Sequence, residues 1–178
     1  MSQTILQPTS HQQKGFTLLE LMATIAVLAV LLGIGVPSFT EMVRNNRLSA
    51  QTNDFVAALN LARSEAVKRG LKVSVCPGVN DTCSGATDWN AGILVFTDDT
   101  GTSGVKDGTD EVLQSWPPYN NTFVAGGGAS PASISFFPTE AEAPVQVDIY
   151  KSGCSGPNVH RITVARTGRI QSTKVTCS

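Results

Sequence analysis

Histidine is nearly absent from this chain: His11 and His160 are the only two in 178 residues. His160 shares a strand face with Ile162 and Val164 and reads as a packed or edge position. No nucleophile has a base beside it in sequence. An enzyme is not expected, and no cofactor motif is visible. Metal-ligand spacing is also missing. The Cys-x6-Cys and Cys-x22-Cys separations lack the close pairs of a zinc site. The loop from Asp98 to Asp107 puts Thr100, Thr102 and Ser103 where an EF-type calcium loop needs alternating ligands and a sixth-position Gly. That loop is expected to use its Asp and Gly residues for turn geometry instead. Acid is missing from one end of the chain as well. From Lys151 onward there are five bases, Lys151, Arg161, Arg166, Arg169 and Lys174, and no acid. Asp81 to Glu111 holds seven acids against the single base Lys106, so the formal net charge of −1 hides two opposed patches.

What the chain does have is one long apolar run with a single charge in it. From Phe16 to Val36 only Thr17, Glu20 and Thr24 are polar, which meets the roughly 20 apolar residues of a bilayer-spanning helix. A secretory signal would place a cleavage site after a shorter apolar stretch; here a polar leader with Lys14 precedes the run. An ionisable group at membrane depth costs roughly 2.5–3.5 kcal/mol even on gentle scales, so Glu20 is a functional candidate. Cleavage after Gly15 would leave an α-amine on Phe16 and the carboxylate at the fifth mature residue.

The motif Lys14-Gly-Phe-Thr-Leu-Leu-Glu-Leu21 resembles the class III signal of type IV pilins and type II secretion pseudopilins. The resemblance implies that a prepilin peptidase cuts after Gly15 and methylates Phe16. It also implies that Glu20 pairs with the N-terminal amine of a neighbouring subunit during assembly. Two buried opposite charges that neutralise each other only in a filament favour polymerisation over free diffusion in lipid.

Beyond the membrane segment, Pro37 is expected to kink the helix, which continues as an apolar stripe of Leu48, Phe55, Leu59, Ala62 and Ala66. Lys68, Arg69 and Gly70 form its C-terminal signal. Alternating runs then predict antiparallel strands over Leu71–Val75, Gly92–Phe96, Glu111–Gln114, Ile134–Phe137, Val145–Ile149, Val159–Arg166 and Arg169–Val175. A long helix against such a sheet is an α+β domain. The expected organisation is a leader at 1–15, a transmembrane segment at 16–37, an amphipathic helix at 38–70 and a β-rich periplasmic head at 71–178. Trp89 and Trp116 flank turns and are expected to anchor the core. Four cysteines, Cys76, Cys83, Cys154 and Cys177, all follow the membrane segment and read as two disulfides of an exported domain. Three connectivities are open, and the spacing favours the local pairs. Asn120-Asn-Thr122 fits a glycosylation pattern that is uninformative in a bacterial chain.

The runs Arg44-Asn-Asn-Arg-Leu48, Leu59 to Gly70, Val75-Cys-Pro77 and Trp89 to Asp98 resemble the GspH/FimT/FimU minor pilins. The resemblance implies a low-abundance subunit inserted in the inner membrane and assembled with other major and minor pilins, closer to type IV pilus members than to the secretion pseudopilin. Some FimT members bind double-stranded DNA for natural transformation through Gly-Arg-x-Arg. Here the motif reads Gly168-Arg169-Ile170-Gln171, so only Gly168 and Arg169 carry over, with Arg161, Arg166 and Lys174 as reinforcement. If Thr167-Gly168 is a two-residue turn, Arg166 faces Arg169 and Arg161 faces Lys174 across the hairpin, a like-charge arrangement that an anionic partner would relieve.

Overall fold

The computed structural model describes residues 15–119, 123–125, 131–151, 153–154, 156 and 159–177, with backbone alone at 37, 38 and 123–125. Lys14, His11 and the Asn120–Thr122 pattern lie outside the described residues. The chain divides into two compact units, Met1–Val43 and Arg44–Ser178.

One helix, α1 (Leu18–Arg69), contributes to both units. Thr17 starts it: its Oγ1 accepts from the Glu20 amide at 3.2 Å, and its carbonyl accepts from Leu21. Thr-x-x-Glu is the sequence of a capping box, so Glu20 also stands at the third helical position, where a carboxylate suits the dipole. The backbone stays helical across 37 and 38, the site of the expected kink. At the other end Gly70 takes φ +70° and its amide bonds to Ala66 at 3.0 Å, the left-handed stop expected there.

In the second unit the expected stripe is the helix face in the core: Leu48, Phe55, Leu59, Ala62 and Ala66 are all buried. Among the described residues nine strands follow, β1 (Val73–Val79), β2 (Thr82–Cys83), β3 (Ile93–Thr97), β4 (Val112–Trp116), β5 (Phe123–Ala125), β6 (Ile134–Phe136), β7 (Val145–Lys151), β8 (Val159–Val164) and β9 (Ile170–Val175). They form two antiparallel sheets, one ordered β2-β1-β3-β4 with β6 also on β1, the other β5-β7-β8-β9. The inward rows Val73, Val75, Ile93, Val95, Ile134 and Phe136 of the first sheet join Val147, Ile149, Ile162 and Val164 of the second around the helix stripe. Burying each Leu-, Ile- or Phe-sized side chain there contributes about 1.5–3 kcal/mol. The fold is α+β, as the sequence implies.

Trp89, in a short 3₁₀ turn at Trp89–Ala91, is fully buried and meets Phe55 edge-to-face at 4.9 Å between ring centroids. Trp116 packs on the core from the side. Disulfides join Cys76 to Cys83 and Cys154 to Cys177, the two local pairs.

Candidate assembly and anion-binding sites

The first unit presents its apolar side chains outward. Leu18, Leu19, Met22, Ile25, Leu28, Leu31 and Ile34 are all more than half exposed. The helix is long and apolar enough to cross a membrane. Glu20 shares one face with Thr24, Val27 and Leu31, so the carboxylate is the one ionisable group of that face. Gly15 and Phe16 lie just before α1, and Phe16 is 83% exposed.

In the acidic loop between β3 and β4 the carboxylates serve the fold. Asp98 is 2% exposed, accepts from the Gly104 amide at 2.7 Å and from the Ser74 hydroxyl, and has the Lys72 ammonium 3.3 Å away, a charge contact rather than an aligned hydrogen bond. Asp107 accepts from the Thr102 amide at 3.1 Å, and Asp110 from the Asp107 amide at 3.0 Å. Gly101 and Gly104 hold φ of +79° and +74°. Turn geometry is thus what the Asp and Gly residues supply. Glu111 is drawn away to the helix end, where Arg69 bridges it at 2.6 Å and Glu65 at 2.7 Å. Hydrogen bonds from Arg69 and Lys68 hold the Glu65 carboxyl below its usual range.

The basic hairpin departs from the expected register. Ala165, not Arg166, pairs with Arg169: the Ala165 amide bonds to the Arg169 carbonyl at 2.9 Å and the Gly168 amide to the Ala165 carbonyl at 2.8 Å. The turn has three residues, Arg166 to Gly168, with Gly168 at φ +74°. Such a turn ends in a left-handed residue and a bulge, and the extra residue slips the ladder by one. Arg161 therefore faces Thr173, and Lys174 faces His160 on the opposite side of the sheet. On its other flank Arg161 meets Asp148 and forms a two-pronged pair, Nε to Oδ1 at 2.8 Å and a terminal nitrogen to Oδ2 at 2.7 Å, which raises the guanidinium pKa. Arg161 is thus a satisfied structural ion pair.

Arg166 and Arg169 are exposed and form no ion pair among the described residues. Gly168 between them is buried beneath Arg63 of α1, whose guanidinium donates to the Thr167 carbonyl at 3.2 Å. Sequence reasoning did not include Arg63, which lies about a hundred residues away in the chain; its only signal was an Arg in the helical stretch Leu59 to Gly70. His160 is half-buried, and burial, reinforced by Lys174, holds its pKa down.

Residues 51–168 match the family described as Type II transport protein GspH, and residues 10–36 match the prokaryotic N-terminal methylation motif. The chain is 30% identical over 94 residues to the type IV major fimbrial protein FimA of Dichelobacter nodosus, a match covering 52% of this chain and 51% of that one. It is 32% identical over 77 residues to prepilin peptidase-dependent protein D of Escherichia coli, covering 43% and 47%. The chain thus spans about half the length of these relatives. The fold is similar to that of the type IV minor pilin FimU of Pseudomonas aeruginosa, with a TM-score of 0.57 at 20% identity over 74% of this chain and 92% of that one. An N-terminal methylation motif that runs into an apolar helix, an α+β head and a family match over most of that head lead to one conclusion: the chain belongs to the GspH family, pilin-like structural proteins and not enzymes.

Proposed function

We propose that the chain is a minor pilin of a type IV pilus, made as a single-pass inner-membrane precursor with its head in the periplasm. A prepilin peptidase cleaves it after Gly15 and methylates Phe16, and the mature chain joins other major and minor pilins with Glu20 paired to a neighbour's N-terminal amine. The observation that carries this is the position of Glu20: the single carboxylate between Phe16 and Val36, on an outward-facing apolar stretch of helix, five residues from the scissile bond. A similar protein whose name records dependence on prepilin peptidase supports the processing step. Mass spectrometry of sheared filaments tests it. The expected N-terminal peptide starts at N-methylated Phe16 and is absent from a peptidase-deficient strain. A chain retained in the membrane fraction and found only with secretion components would instead favour a type II pseudopilus.

A second reading adds capture of double-stranded DNA, supported by the two exposed guanidiniums of Arg166 and Arg169 at one rigid turn. Arg161 drops out of that surface through its pair with Asp148, and Lys174 stands on the other sheet face. Salt-sensitive binding to duplex DNA that disappears in an Arg166→Ala, Arg169→Ala double variant is expected; salt-independent binding, or none, contradicts this reading.

A further inference from the structure

We propose that Arg63 is the third member of an anion site at the β8–β9 turn and contacts the phosphate backbone of duplex DNA together with Arg166 and Arg169. This rests on the DNA reading above and extends it to a residue on a different element.

The geometry begins with the turn. Arg63 donates to the Thr167 carbonyl at 3.2 Å, and a Cβ on Gly168 would fall 3.0 Å from its Nε and 3.4 Å from its Cδ and Cζ. The guanidinium therefore lies over the peptide that links Arg166 to Arg169. Gly168 has two reasons to be glycine: the left-handed backbone and the passage of Arg63 above it. One of five N–H donors goes to Thr167, and the exposed remainder stays available.

No carboxylate neutralises this group among the described residues. Glu65 is committed to Lys68 and Arg69, and Asp148 to Arg161. The Ala141 amide bonds to the Arg166 carbonyl at 2.8 Å and brings Glu140 and Glu142 to the same end. Glu142 is held by the Ser103 hydroxyl at 3.2 Å, and Glu140 pairs with none of the three arginines.

Two exposed arginines on the turn and a third that reaches its backbone from α1 suit a repeating phosphate chain better than an acidic protein, whose recognition rests on desolvated anchors. Arg63 and Ala141 hold the turn from both sides through its carbonyls, so little ordering remains to be paid on binding.

The test uses the full chain in detergent micelles and a fluorescent duplex of about 30 base pairs, titrated between about 50 and about 200 mM salt. Arg63→Gln removes the charge, and Arg63→Lys keeps it without the planar fork. For Arg63→Gln the slope of log affinity against log salt is expected to shrink by about 0.9, one phosphate contact, with affinity down about 3- to 10-fold at the middle of the range. Arg63→Lys is expected to keep the slope. Weaker binding of Arg63→Gln at unchanged slope would reduce Arg63 to a positioning residue and overturn the proposal. So would polyglutamate competing as well as DNA. A wild-type chain that does not bind DNA overturns both readings; a wild-type chain that binds, with an unaffected Arg63→Gln, overturns this one alone.

Discussion

The two units of this chain bury their residues in opposite senses. Between Leu18 and Val36 the apolar side chains face outward and one carboxylate interrupts them; from Arg44 onward Phe55, Leu59, Trp89, Phe96 and Phe136 face inward. Each unit contains one conspicuous acid. In the head, Asp98 draws its partners from its own chain: the Lys72 charge, the Ser74 hydroxyl and the Gly104 amide. Glu20 has no cation beside it among the described residues, only a capped helix turn and apolar neighbours. An acid whose partners come from its own fold reports on stability; an acid left without one reports on assembly.

Three perturbations sharpen that contrast, from the largest expected effect to the smallest. Asp98→Ala strands Lys72 and its hydrogen-bond donors in a buried place and is expected to cost the head about 3–5 kcal/mol, read as a fall in the urea midpoint; a change below about 1 kcal/mol would deny Asp98 its structural role. Replacing Cys154 and Cys177 together by Ser opens the loop that carries β8 and β9, whose closure is expected to contribute about 3 kcal/mol. Reduced and oxidised chains with the same midpoint would contradict that. The smallest effect is His160. Its folded pKa lies below the ordinary 6.5, so the unfolded chain binds more protons in the window just under that value, and stability is expected to decline as pH falls through it. A His160→Gln chain with an unaltered pH profile between about 5 and 6.5 would remove this residue from the account.

The parts of the fold written in short-range pattern are legible in the amino-acid sequence. Helical spacing from Leu48 to Ala66 places the core face, Gly70 marks the helix end, and seven alternating runs locate the longer strands to within a few residues. The two-residue β2 and the three-residue β5 are too short to carry an alternation signal. Register is the larger loss. Thr167-Gly168 suits a two-residue turn, but Gly168 in a left-handed conformation suits a three-residue one equally, and only the ladder decides between them. The slip reassigns Arg161 from a repulsive pair to a satisfied one. The partners of Arg161 and of the turn, Asp148 and Arg63, come from other elements, where no local spacing rule reaches. Gly15, Phe16 and Glu20, by contrast, sit in one contiguous motif, so a local reading of the chain is enough to propose roles for all three.

The most direct test of the central claim is the fraction of the chain recovered in sheared filaments, wild type against Glu20→Ala, with membrane insertion and head melting measured on the same samples. The account expects insertion and melting to be unchanged and filament recovery to fall at least about tenfold, the loss of a charge pair of about 1.4 kcal/mol or more. Equal recovery of both chains would show that the carboxylate is not what holds this subunit in a filament.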